Sequence, residues 1–236
     1  MAMSDLSGIR ALTFDVFGTV VDWREGVARE VAAHLPALDA HGFADRWRGG
    51  YQPAMEAVRN GSRPWVPLDV LHREILVEIL AEQGVGDASA ALVDELNLAW
   101  HRLDPWPDVL AGMDRLRTRF ILAVLSNGNI ALMTDMNRRA GMRFDCMLGG
   151  EAGRAYKPMP QAYDNAAKIL GLRMDQCLMV AAHDYDLDAA AERGMRTAYV
   201  HRPREHGPGA DKPRPAVGRF DIMVDSFSEL ADALGC

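Results

Sequence analysis

The stretch "TFDVFGTVVD", residues 13–22, decides how this chain is read. β-Branched and aromatic residues lead up to Asp15, and Gly18-Thr19 then interrupt the run, so a short buried strand ends in a turn with a carboxylate at its tip. Working outward, strand-sized apolar runs recur at 9–17, 120–127, 144–150, 176–182, 196–200 and 220–226. Amphipathic stretches of helical length separate the later ones, at 130–141, 161–171 and 187–194. The last two of these end at a glycine suited to a helix C-cap.

Strand–helix alternation of this kind predicts an α/β fold, a Rossmann-like parallel sheet flanked by helices. The first strand stands apart from the others. From Trp23 to Leu103 the pattern is helical, as in "GVAREVAAHLPAL" (26–38) and "PLDVLHREILVEILAEQG" (67–84), and "DPWPDV" (104–109) supplies a proline-rich return. The expected organisation is a core domain formed by residues 1–22 and 104–236, interrupted by an inserted helical cap at 23–103. The polar Pro/Gly segment 202–218 reads as a loop, either mobile or laid over a surface.

The 236 residues suffice for a substantial core, and 49% hydrophobic with 25% charged residues is ordinary for a globular protein. No apolar run reaches the ~20 residues of a membrane span. The opening "MAMSDLSGIR" lacks the basic and apolar regions of a secretory signal, so a cytoplasmic location is expected. A net charge of −7 argues against nucleic acid as a partner. Cys146, Cys177 and Cys236 form no CxxC pattern, and the first two, within apolar runs, read as buried thiols.

In an open parallel sheet, chemistry gathers beyond the carboxyl ends of the strands. Asp15 follows the first strand, Ser126 and Asn127 the second, and His183 through Asp186 the fourth, with Lys157 in the loop after the third. Any one of these could be a turn former or a cap. Four polar strand ends on one rim point to a site.

In order, "DVFGT" (15–19), "LSNG" (125–128), "YKP" (156–158) and the acidic "AAHDYDLDAA" (181–190) resemble the four motifs of the haloacid dehalogenase superfamily, and the resemblance spans nearly the whole chain. Phosphatases of that superfamily carry a second aspartate two residues after the nucleophile, where this chain has Phe17. A phenyl ring neither donates a proton nor ligates a hard cation. The chain is therefore similar to the L-2-haloacid dehalogenase branch, which carries an aromatic there and uses no metal. Halide needs no proton to depart, only donors for the developing anion.

The resemblance implies the following roles. Asp15 is the attacking carboxylate, Thr19 the hydroxyl that orients it, and Lys157 the lysine that neutralises it. Asp186 positions Lys157 and helps activate water, and Tyr163 supports the pair. Ser126 and the backbone at Asn127 bind the substrate carboxylate, while Phe17 and Tyr185 wall the pocket. Arg48, in "WRGGY" (47–51), receives the halide. His183 departs from the branch pattern; it could donate to the halide, serve as base for water, or narrow the pocket. Trp47, Tyr51 and Trp65 are further candidate wall residues, with simple cap packing as the alternative.

The resulting expectation is a metal-independent, cofactor-free hydrolase that converts an (S)-2-haloalkanoate into an (R)-2-hydroxy acid and halide through an aspartyl ester. Its partners are the small 2-haloacid and the halide, and the family is compatible with a homodimer. Two alternatives stay open: a magnesium-dependent phosphatase or phosphonatase using Asp184 and Asp186 beside Asp15, and a non-catalytic binder of small carboxylates.

Overall fold

A computed structural model of the chain describes residues 6–236; Met1–Asp5, half of the opening segment read for a signal, lie outside the described residues. Strand β1 (Ala11–Phe14) leads through a short β2 (Val21–Asp22) into helices α1 (Trp23–His34), α2 (Ala40–Arg59), α3 (Leu68–Glu82) and α4 (Ala90–Asn97). A 3-10 turn at Leu98–Arg102 and β3 (Asp104–Pro105) bring the chain back. There follow α5 (Val109–Leu116), β4 (Ile121–Val124), α6 (Ile130–Arg139), β5 (Cys146–Met147), α7 (Gly150–Gly153) and α8 (Pro160–Leu170). The chain closes with β6 (Cys177–Ala181), α9 (Asp184–Glu192), β7 (Arg196–Val200), β8 (Ile222–Val224) and α10 (Phe227–Ala233).

Each of the six apolar runs contains one strand of a parallel sheet ordered β5-β4-β1-β6-β7-β8. Phe14 lies opposite Val124 on one side and Val180 on the other. The side chains alternate between two cores. Leu12, Phe14, Leu122, Val124, Leu178 and Val180 join one, whereas Ala123, Leu125, Met179 and Ala181 join the other. Burial on both faces explains why these strands read as continuous apolar runs. The order reverses between β1 and β6, so the crevice for chemistry opens where Asp15 leaves β1.

The insert between β2 and β3 is helical, as expected. The β2–β3 pair was not expected: Asp22 lies opposite Asp104 and Val21 opposite Pro105, antiparallel, where the chain leaves and re-enters the sheet domain. Strands of two residues, one of them containing proline, carry no strand signal of their own; they pair because their ends are held together. Helix α9 begins at Asp184, ahead of the expected 187, and places Asp184 and Asp186 in its first turn, where acids favour a helix N-terminus. Cys177 is buried, but Cys146 is only half-buried because β5 is an edge strand.

Segment 202–218 is tied down. Arg202 forks onto Asp108 at 2.8 and 3.0 Å and donates to the Thr19 carbonyl at 3.0 Å, and Lys212 donates to the Ala182 carbonyl at 2.5 Å. The segment thus covers the back of the β1 and β6 strand ends. Among the described residues no helix is long and apolar enough to cross a membrane.

Candidate active site

Parallel pairing with β6 fixes the backbone of Asp15, whose N–H donates to the Val180 carbonyl at 3.0 Å. The turn that follows returns Thr19 beneath the carboxylate. Thr19 Oγ1 accepts from the Ala182 N–H at 2.8 Å, which leaves its own proton directed at Asp15 Oδ2, also at 2.8 Å. Lys157 Nζ donates to Asp15 Oδ1 at 3.0 Å and also to Asp186 Oδ2. The second Asp186 oxygen accepts from the Tyr163 hydroxyl at 2.6 Å. His183 Nδ1 completes the ring, 2.8 Å from Asp15 Oδ2. Asp15, Thr19, Lys157, Tyr163, His183 and Asp186 are all buried.

The charges settle one another. Burial alone would raise the Asp15 carboxyl, but the Lys157 ammonium, then His183 and Thr19, outweigh it and hold Asp15 well below the usual carboxylate range. Burial would likewise lower Lys157, yet the charges of Asp15 and Asp186 raise it. Asp186 is shifted upward by burial and by the neighbouring Asp15 charge, against the pull of Lys157. His183 is pushed up to about 9: burial opposes this, and the Glu205 charge with the Asp15 hydrogen bond prevails. Asp15 is thus an ionised carboxylate held by an ammonium and an imidazolium.

The cap closes over this ring. Phe17, 2% exposed, meets the rings of Tyr51, His72 and Trp100 at centroid distances of 6.3, 6.4 and 5.6 Å. Arg48 lies on α2 with its guanidinium carbon 4.2 Å from the Tyr51 ring centre and 5.5 Å from that of Trp23. Its Nη1 is buried without a hydrogen-bond partner. Since a buried guanidinium N–H is rarely left idle, this donor is available to an anion. Trp47 donates to the His72 carbonyl at 2.9 Å and stacks edge-on to Trp100, so its part is cap packing; Trp65 packs against Tyr156.

Ser126 is buried, its Oγ accepting from the Gly128 N–H at 3.3 Å. The Asn127 side chain is occupied in holding the lysine loop, its Oδ1 accepting from the Lys157 N–H at 2.7 Å. Tyr185 is not a sealed wall residue. It is 48% exposed and lines, with Gln52, Glu56, Arg59 and Pro158, a depression of about 410 Å³ between cap and core.

The residues do not fit a magnesium ion. Ammonium, hydroxyl and imidazole donors already neutralise Asp15 and Asp186, Asp184 turns one oxygen to Arg219 at 2.7 Å and leaves the other buried without a partner, and among the described residues no three acids, histidines or cysteines gather as a metal-ligand group. Phe17 occupies the position from which a further acid would reach.

One residue of this cluster escaped the sequence reading. Glu205, fully buried, places Oε1 2.8 Å from His183 Nε2 and 3.4 Å from Trp23 Nε1. Its carboxyl is lowered to about 2: burial opposes the shift, which His183, Arg48 and Lys212 drive. An acid among prolines and glycines reads as solvated. The available signal was its place, just beyond the carboxyl end of β7, on the same rim as the others.

Comparison with known proteins gives the family and the fold. The profile of the haloacid dehalogenase-like hydrolases matches residues 9–194. The (S)-2-haloacid dehalogenase 4A of Burkholderia cepacia is 27% identical over 231 residues, 95% of this chain and 94% of that protein. Among solved structures, a defluorinating L-2-haloacid dehalogenase superposes with a TM-score of 0.93 at 43% identity, covering 97% of this chain and 96% of its own. A second L-2-haloacid dehalogenase gives a TM-score of 0.92 at 42% identity over 96% and 99% of the two chains.

Proposed function

The chain belongs to the haloacid dehalogenase-like hydrolases, and from that premise we propose that it is a metal-independent 2-haloacid dehalogenase acting on short (S)-2-haloalkanoates. The observation that carries the reading is the pairing of an ionised, doubly held Asp15 with the idle, buried N–H of Arg48, while Phe17 replaces an acid between them in the chain. A carboxylate nucleophile and an anion receiver are what displacement of a halide requires, because the halide leaves without taking a proton.

In this reading Asp15 attacks the halogen-bearing carbon from the face opposite the halogen, forming the new C–O bond as the C–X bond breaks with its electron pair on the halide. The carbon inverts. Lys157 keeps the nucleophile ionised, Ser126 and the Asn127 backbone hold the substrate carboxylate, and Arg48 receives the halide. Water then adds to the Asp15 carbonyl carbon and the (R)-2-hydroxy acid leaves. The aromatic enclosure around Phe17 excludes water and strengthens the fields acting on these charges. Residues 1–22 and 104–236 serve as the catalytic body and 23–103 as the cap that shapes the halide pocket. A cytoplasmic homodimer completes the reading.

The test is halide release from (S)- and (R)-2-chloropropionate, chloroacetate and fluoroacetate, with EDTA present and Asp15→Asn as control. Release confined to the (S)-enantiomer and the acetates, indifferent to EDTA and absent in the variant, is the expected result. Fluoride release would align the chain with its defluorinating relative. Absence of any halide, together with magnesium-stimulated hydrolysis of phosphate esters, would overturn the reading.

A further inference from the structure

His183 lies between two carboxylates. Its Nδ1 is 2.8 Å from Asp15 Oδ2 and its Nε2 2.8 Å from Glu205 Oε1. An ionised carboxylate only accepts, so with an anion at each nitrogen both must carry hydrogen and the resting ring is an imidazolium. Glu205 is built into this place. It is fully buried on the tied-down segment 202–218, and Trp23 donates to the same oxygen that meets His183. The chain also leaves room for it: Gly18, at φ +83°, passes so close that a Cβ there would stand 2.1 Å from Glu205 Oε1. The nucleophile turn and the Glu205 carboxylate are therefore in direct contact.

Asp186 is engaged with Lys157 and Tyr163, one on each oxygen, whereas His183 Nδ1 meets the Asp15 carboxylate itself. We propose, resting on the dehalogenase reading above, that His183 is the base for hydrolysis of the Asp15 ester and that Glu205 is its positioning residue. Esterification removes the negative charge from Asp15, and the imidazolium loses one of its two anionic partners. Its Nδ1 proton departs to solvent with the halide, while Glu205 retains the Nε2–H tautomer and leaves a lone pair at Nδ1. Water adds to the Asp15 carbonyl carbon as its proton passes to Nδ1. Collapse breaks the bond to the 2-hydroxy acid, whose alkoxide takes a proton from the new carboxyl. The products are the hydroxy acid, the Asp15 carboxylate and the His183 imidazolium, so the resting state is restored and one proton has left per halide.

The groups around the pair are consistent with this cycle. Asp15 and Tyr185 neighbour His183; Arg48, Lys212 and His206 surround Glu205, the last at 3.8 Å from Oε2. When His183 turns neutral in the ester, the charges of Arg48 and Lys212 still favour the ionised Glu205.

Single-turnover measurements with chloroacetate test the proposal. In the wild-type enzyme, a pH indicator at pH 7.5 should record one proton with the halide burst and none with the later ester hydrolysis. In Glu205→Gln the halide burst should persist, ester hydrolysis should slow by about 10²-fold or more, and the carboxymethyl ester of Asp15 should accumulate by mass spectrometry; Glu205→Asp should recover part of the rate. Proton release that tracks hydrolysis overturns the proposal, as does a Glu205→Gln variant that hydrolyses the ester within about twofold of wild type. Loss of burst and hydrolysis together would make Glu205 a structural residue and equally defeat it. A wild-type enzyme that releases no halide would instead defeat the underlying reading.

Discussion

The guanidinium carbon of Arg48 stands 5.8 Å from the centre of the Phe17 ring. An aromatic two positions beyond Asp15 thus abuts the buried cation that has an N–H to spare. An acid at that position would pair with Arg48 and consume the charge. Residues from the insert and from the turn after β1 thus together enclose a buried guanidinium N–H among aromatic rings.

Arg48→Lys should lower kcat/KM for 2-chloropropionate by about 10²-fold, because a point charge on a flexible stem does not reproduce the fixed fork. Product inhibition by bromide should weaken in parallel. Steady-state kinetics with added halide check both; unchanged inhibition would remove Arg48 from the halide site.

Phe17→Asp should not create a magnesium phosphatase. The carboxylates of Asp15 and Asp186 would remain occupied by Lys157, Thr19, Tyr163 and His183, and the new acid would neutralise Arg48. Dehalogenation should fall by at least about tenfold, with no gain from magnesium on phosphate esters. Magnesium-dependent turnover in this variant would contradict the account.

Lys157→Met should abolish turnover and destabilise the fold by about 3–5 kcal/mol, since two buried carboxylates lose their shared cation. With Lys157 gone, the Asp15 carboxyl should move upward, because burial is then opposed only by His183 and Thr19. Denaturant midpoints at several pH values test this: the deficit should shrink as the medium is acidified and Asp15 takes a proton.

His101 ties the cap to the sheet domain, with Nδ1 2.8 Å from Asp135 on α6 and Nε2 3.2 Å from Asp69 on α3. Burial lowers its pKa, but the two aspartates prevail and raise it. A raised folded value means that its stabilisation is complete below the unfolded pKa of about 6.5 and is lost as pH rises through the folded value. His101→Gln should therefore lose on the order of 1 kcal/mol at pH 6, discounted for the exposed Asp135, and less at pH 9. Melting temperatures of both proteins across that range measure the effect.

Much of the architecture was legible because it is local or periodic. Six apolar runs and the helices between them follow from patterns within ten or twenty residues, and the rim of polar strand ends follows from the rule that places chemistry beyond the carboxyl ends of a parallel sheet. The DxxGT turn is local too, since Thr19 reaches Asp15 four residues back. The β2–β3 pair and the exposed position of Tyr185 were not legible, because both depend on how the cap sits against the core.

Local pattern was enough to give the parallel sheet, the helical insert after the first strand, and an aspartate at that strand's tip followed two residues on by an aromatic. Which partner each buried group meets depends on the folded arrangement. Asp186 turns out to hold Lys157 and Tyr163, Arg48 retains an unused N–H, and Glu205 sits beside His183, which itself meets Asp15 across 168 positions of chain. The physical reason is that a hydrogen-bonding group acts through its unpaired donors and acceptors. Which of these remain unpaired is set by burial and by partners brought together from distant segments, and spacing along the chain carries no record of it.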